Sequence, residues 1–295
     1  MADQQASALN LDSLKLVVAD RIAPFFERIL AEEKNDVLAL HVIGSAVTDD
    51  FDPERSDINS MIVLREMDLD LFDLLAALRR EFEASRIGPP MLMTPDYIRR
   101  WHNVSPVELL DVKLVNSLVY GTDHLSHLDI GRLPVRMQCK RELRNRLITL
   151  SCGYVRASAS KRELTELMVK SVYGLAPLIR GIIYARGEDP PVTIGPLFDA
   201  LASSIGVAAL SFKEVYWTKL RETKIPIARV RATLKDYYRS IETLIDLVDK
   251  IETPNTCQHT HTGRRANNSA ARPRPAHRRG RACPGRAATG QVAHR

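Results

Sequence analysis

The sequence predicts an α+β protein: a mixed-sheet head, then an all-α helical bundle, then a disordered basic tail. Three observations carry this. Up to about residue 133, short apolar runs ending in turn residues alternate with amphipathic stretches. From 134 to 253 the strong periodicity is helical, and strands with helices followed by helices alone is the α+β pattern. After Glu252 the composition shifts abruptly to Arg, Ala, Pro and Gly with almost no large apolar residues. Such a segment cannot bury enough surface to offset its ordering entropy. The expected divisions are therefore 1–133, 134–253 and 254–295.

Residues 12–33 place Leu14, Val17, Val18, Ile22, Phe25, Phe26 and Ile29 on one helical face, with Pro24 expected to kink the helix. DVLALHVIG (36–44) reads as a buried strand running into Gly44, and DINSMIVL (57–64) as a second strand. LDLFDLLAALRREFEAS (69–85) is an amphipathic helix. PPMLMT (89–94) is a short strand that leads into a helix, with Thr94 as N-cap and Pro95 at the first helical position. PVELLDVK (106–113) is expected to form another strand, and SLVYG (117–121) a short extended piece or turn.

In the second part, residues 136–158 read as one helix. Ser160 and Glu163 form a capping box for the next, expected to run unbroken to Gly187, with DPP as its stop. GPLFDALASSIG and SFKEVYWTKLRE are shorter helices, and residues 227–252 form a long closing one.

Charge and cysteine usage narrow the function classes. The net charge of +6 comes from the tail, which holds nine arginines and no acidic residue; residues 1–253 keep 33 basic against 36 acidic side chains. The fold thus lacks a basic footprint for nucleic acid, and contact with RNA or DNA is expected only through the tail, if the tail is more than an unselected extension. Cys139, Cys152, Cys257 and Cys283 form no C-x-x-C pair, so reduced thiols are expected rather than a zinc site. No apolar run reaches the ~18 residues a membrane helix needs. The N-terminus lacks a basic start before an apolar core, so a cytoplasmic protein is the expectation.

The stretch GSAVTDDFDPERSDIN (44–59) carries the chemistry. Gly44 follows a buried strand and permits close backbone approach to a phosphate. Ser45 offers a hydroxyl and an N–H at an expected helix start. Eleven residues separate Ser45 from Asp57. Because side chains alternate along a strand, Asp57 and Asn59 share one face while Ile58 and Ile62 enter the core. Asp49, Asp50, Asp52 and Glu54 read as a solvated turn, His41 as a core or edge histidine, and Trp101 and Trp217 as packing residues. Arg141, Arg144 and Lys170 are the basic residues that would meet a triphosphate if their helices face the cleft.

The combination of Ile43, Gly44 and Ser45 with Ser56, Asp57 and Ile58 resembles the nucleotidyltransferase superfamily, the fold of DNA polymerase beta and the aminoglycoside adenylyltransferases. The resemblance covers about residues 37–121, with SPVELLDVKLVNSLVYG similar to uncharacterised bacterial members, and the helical remainder resembles the bundle of the adenylyltransferases. It implies transfer of a nucleoside monophosphate from ATP or another NTP to a hydroxyl acceptor, with Mg2+ as cofactor. Carried over, Gly44 and Ser45 seat the phosphates; Asp57, Asn59 and Glu108 are the metal ligands; Asp57 and Glu108 are the catalytic carboxylates.

The chain departs from the pattern at Asn59, where the family has a second carboxylate. One Mg2+ resting on Asp57 and a nucleotide remains compatible with this; a two-ion site is weakened. The third carboxylate is Glu108 or, on the opposite face of the expected strand, Asp111, with Glu108 preferred for its place at the strand start. Some related heads pair with helical ribonucleases bearing Arg and His, but residues 134–253 contain no histidine. The bundle is then left to bind substrate or to form a homodimer. Two functions stay open: a nucleotidyltransferase, and a catalytically impaired module that binds a nucleotide or a protein.

Overall fold

The computed structural model describes residues 8–33, 35–157, 160–205, 209–220 and 224–252. The tail expected to be disordered lies outside the described residues. The elements are α1 (Leu16–Glu33), β1 (Val37–Ile43), β2 (Asn59–Leu64), α2 (Leu69–Ala84), β3 (Met91–Met93), α3 (Pro95–Trp101), α4 (Pro106–Leu114), β4 (Asn116–Gly121), α5 (Arg132–Arg156), α6 (Lys161–Val172), α7 (Leu175–Ala185), α8 (Ile194–Ile205), α9 (Leu210–Lys219) and α10 (Val230–Lys250). This is an α+β architecture.

The four strands form one mixed sheet in the order β3-β2-β1-β4. β1 runs antiparallel to both β2 and β4, and β2 runs parallel to β3. The alternation of β1 divides the core. Leu40 and Val42 join Val18, Ile22, Phe25, Phe26 and Ile29 of α1 on one face. Ala39 and Ile43 join α4, α5, α7 and the remaining helices on the other. The five buried α1 side chains alone contribute on the order of 10 kcal/mol of hydrophobic free energy before entropy is counted. The apolar core on the second face runs without interruption from Met61 and Val63 through Leu110 to Ile182, Phe212 and Tyr237.

Thr94 caps α3 as the sequence implies, its hydroxyl accepting from Tyr97 N at 3.2 Å, with Pro95 in the first turn. Ser160 likewise accepts from Glu163 N at 3.4 Å. Gly187, at φ +94, closes α7, with its amide on Tyr184 O and Glu188 N on Ile183 O.

Two expectations are corrected. Residues 106–113 form α4, not a strand. Pro106 sits where a helix needs no N–H. Val107, Leu109, Leu110 and Val112 are all buried, because α4 lies between the sheet and α7. An apolar run buried over most of its surface hides its period, and a short one reads equally as strand or helix. The strand that pairs with β1 is instead β4, whose last residue, Gly121, has φ +80, and a Cβ there would collide with the Leu38 carbonyl. The helix expected to run unbroken to Gly187 is broken at Tyr173 and Gly174. Gly174 adopts φ +66, and α6 and α7 meet at a bend of 46°.

Among the described residues no single helix is long and apolar enough to cross a membrane; the bent α6–α7 pair passes by length and composition. Its apolar residues, Leu164, Met168, Ile179 and Ile182 among them, are buried in the core.

Candidate active site

The site is built around the chain between β1 and β2. Gly44 leaves β1 at φ +73 and opens a single 3-10 turn, Gly44–Val47, with its amide on Val115 O at 2.9 Å. The loop beyond is held by its own polar groups. Thr48 Oγ1 donates to Ser45 O at 3.1 Å, Ser56 Oγ accepts from Asp52 N at 3.1 Å, and Asp52 Oδ1 accepts from Glu54 N at 2.8 Å. Two side chains tie this loop to the helical region. Asp50 Oδ2 accepts from Ile194 N, at the start of α8, at 2.8 Å, and Arg55 Nη1 donates to Leu220 O, just past α9, at 2.7 Å. Asp50 is therefore a tie between this loop and the helical region, not a free member of a solvated turn, and Arg55 makes a second such tie.

Beside these ties lies an open cavity of about 710 Å³ between the sheet and the helices. Ser45, Ser56, Asp57 and Asn59 line one side, and Tyr173, Tyr216 and Lys219 the other. The expected alternation holds: Asp57 and Asn59 face this space, while Ile58 and Ile62 are fully buried. Lys219 Nζ lies 4.2 Å from the Tyr173 ring centroid and 5.3 Å from that of Tyr216. Burial pushes its pKa below the ordinary lysine value, while the two ring faces favour the cation. Arg86 also lines the cavity, with a guanidinium nitrogen 3.8 Å from Asp57 Oδ1.

A smaller cavity of about 290 Å³ also borders Asn59, lined further by Gly44, Ser60 and Asp111. Asp111 comes from α4 and pairs with the buried Arg180 of α7. Arg180 in turn donates to Pro191 O and Val192 O. Burial raises the pKa of the Asp111 carboxyl above its ordinary value, against the opposing pull of Arg180. Ser60 Oγ is buried without a hydrogen-bond partner.

The structure thus brings Ser45, Asp57 and Asn59 together, with Gly44 beside them, and does not bring in Glu108. Glu108 lies in the first turn of α4, where Oε2 accepts from Gln138 Nε2 at 2.6 Å, and it lines neither cavity. On a strand positions 108 and 111 would take opposite faces, whereas on α4, three apart, they lie on the same side; Glu108 is held by Gln138 while Asp111 lines the smaller cavity with Asn59. Arg141, Arg144 and Lys170 line neither cavity; Arg141 pairs with Glu142 and Arg144 with Asp249. Trp101 is buried in the core, and Trp217 packs edge-on against Tyr216. His41 is fully buried in β1, with Nδ1 3.0 Å from Asn116 Oδ1 and Nε2 without a partner; burial lowers its pKa.

Sequence reasoning missed Arg86, Tyr173, Tyr216 and Lys219. A signal existed for two of them: Tyr216 and Lys219 are three apart on α9 and so share a face.

Among the described residues no group of three or more His, Cys, Asp or Glu side chains is placed to hold a metal ion. Asp57 and the Asn59 carbonyl are two oxygen donors in a polar cavity, a set that suits a single Mg2+ completed by substrate phosphates and water, not a two-ion centre.

No family model matches the chain. No curated protein matches it either. Among solved structures, the spectinomycin adenyltransferase AAD(9) from Enterococcus faecialis, crystallised with ATP and spectinomycin, aligns with a TM-score of 0.48 at 14% identity, over 78% of this chain and 99% of that one.

Proposed function

We propose that the cavity between sheet and helices is an NTP site and that the protein is a nucleotidyltransferase, moving a nucleoside monophosphate from an NTP to a hydroxyl acceptor. One observation carries this reading. Ser45, Asp57 and Asn59, from the ends of two neighbouring strands, line a single cavity whose far wall holds Lys219 between two tyrosine rings.

In this reading the backbone at Gly44 and Ser45 seats the terminal phosphates, and Lys219 faces them from α9. Tyr173 and Tyr216 offer ring surface to the nucleotide. Asp57, with Asn59, would hold Mg2+, which when bound supplies charge to the triphosphate and the leaving pyrophosphate. Asp111 replaces Glu108 as the second carboxylate: it lines the smaller cavity together with Asn59, and its raised carboxyl pKa suits a group that accepts the acceptor's hydroxyl proton. Arg180 orients it. The acceptor hydroxyl would enter from the smaller cavity.

The test is label transfer. With ATP labelled at the α-phosphate, the protein should pass label to an acceptor in a mixture of small hydroxyl compounds, RNA and protein, and should pass none from the γ-phosphate. Transfer that survives Asp57→Ala would refute the assignment.

Asn59 favours a second reading, a module that binds the nucleotide without transfer. It requires ATP binding with no label transferred to any acceptor.

A further inference from the structure

Arg86 stands at an unusual place. Among the described residues it is the one non-glycine with positive φ, at 56°. A left-handed backbone is unfavourable for a residue with a β-carbon, and an observed outlier of this kind is grounds for asking what the position does. The geometry is held from both sides. Ile58 N donates to Arg86 O at 2.8 Å and Gly88 N donates to Ile58 O at 2.9 Å, so this short segment continues the parallel edge of the sheet past β3. Gly88 is not exchangeable with Arg86, since a Cβ at Gly88 would come within 2.7 Å of Asn59 Oδ1.

Arg86 follows the last turn of α2, with its amide on Glu83 O, and its guanidinium lies 3.8 Å from Asp57. Both side chains are about half exposed, 46% and 64%, and an ion pair so placed is weak and readily exchanged. The charges around the cavity sharpen the point. Asp50 and Arg55 are committed to the α8 amide and the Leu220 carbonyl. What remains of the lining charge is Glu54 and Asp57 against Arg86 and Lys219. Position 59, where a second carboxylate would recruit a second cation, carries a neutral amide.

We infer that Arg86 is a phosphate-binding residue of this cavity: its guanidinium rests on Asp57 and exchanges to the triphosphate when a nucleotide enters, freeing Asp57. A guanidinium binds phosphate oxygens through paired N–H donors, which a carboxylate at long range does not fully use. Arg86 thereby supplies positive charge that a second cation would otherwise bring. The inference rests on the NTP reading above.

The experiment uses the full chain and two probes, ATP and adenosine, titrated calorimetrically. Arg86→Gly removes the strain and the cation together. Its thermal midpoint should equal or exceed that of the wild type, while ATP affinity falls by about ten- to a hundredfold, the worth of one charge-assisted hydrogen-bond pair. Adenosine affinity should not change. Arg86→Lys should recover part of the loss for ATP.

If Arg86→Gly binds ATP as tightly as the wild type, the inference is overturned and the nucleotide site stands. If ATP and adenosine weaken equally, Arg86 acts on the shape of the site rather than on phosphate, and the inference is again overturned. If the wild type itself binds neither probe, the NTP reading and this inference both fail.

Discussion

Replacing Arg180 by methionine tests the joint between α4 and α7, on which the position of Asp111 depends. Arg180 is buried and spends its guanidinium on three acceptors: Asp111 Oδ1, Pro191 O and Val192 O. Methionine fills similar volume but leaves a partly buried carboxylate and two carbonyls without their donor. Removing one partner of such a pair costs about 3–5 kcal/mol. At this chain size that lowers the thermal midpoint by roughly 6–20 °C.

The pH dependence identifies the cause. Burial already lifts the Asp111 carboxyl, and Arg180 is the group that pulls it down. Without Arg180 the folded pKa rises further. The native state then binds a proton more readily than the unfolded chain, so stability falls as pH rises from the ordinary carboxylate value through the raised one. The deficit of Arg180→Met should be full at about pH 8 and distinctly smaller at about pH 5. Adding Asp111→Asn should recover part of it at the higher pH. Urea denaturation of the full chain at both pH values measures this. A deficit below about 1 kcal/mol, or one equal at both pH values, would refute the description of this joint.

Gly121→Ala should cost on the order of 3 kcal/mol or more, because φ +80 strains an L-residue and the new Cβ meets the Leu38 carbonyl in the paired strand; denaturation by urea reads it directly. Thr94→Ala should cost about 1 kcal/mol through loss of the α3 cap, measured the same way. Buried His41 has its folded pKa lowered below 6.5, so its contribution is present above that value and is lost as pH falls through the folded pKa. His41→Gln should flatten the stability loss between about pH 6.5 and pH 5. The Cys139 thiol, pushed up to about 12 by burial, should resist iodoacetamide in the native protein while exposed Cys152 reacts, as peptide mass mapping would show.

The parts of this fold legible in the sequence are those where one local rule acts alone. Thr94 with Pro95 and Ser160 with Glu163 mark helix starts through their own side chains. The alternation around Ile58 and Ile62 sets Asp57 and Asn59 on the open face because the period of a strand is two. The segment 106–113 is not legible, because α4 is short and buried over most of its surface, with Val107, Leu109, Leu110 and Val112 all inside, so its apolar run fits a strand as well as a helix. That error carried the site with it: read as a strand, the segment made Glu108 the preferred third carboxylate, whereas in α4 Asp111 lines a cavity with Asn59 and Glu108 is held by Gln138. The far wall of the cavity was illegible for another reason. Tyr173, Tyr216 and Lys219 share a cavity with Asp57 through tertiary packing in which Asp50 and Arg55 tie the loop to residues near α8 and α9, contacts spanning well over a hundred residues that no local pattern encodes.

The central claim is that the Asp57 cavity binds a nucleotide with its cation. The most direct measurement is calorimetric titration of ATP into the full chain with and without Mg2+, beside Asp57→Ala. The account requires binding that Mg2+ strengthens in the wild type, and loss of that strengthening in Asp57→Ala with the fold intact by circular dichroism. ATP binding indifferent to both Mg2+ and Asp57, or no binding under any condition, would contradict it.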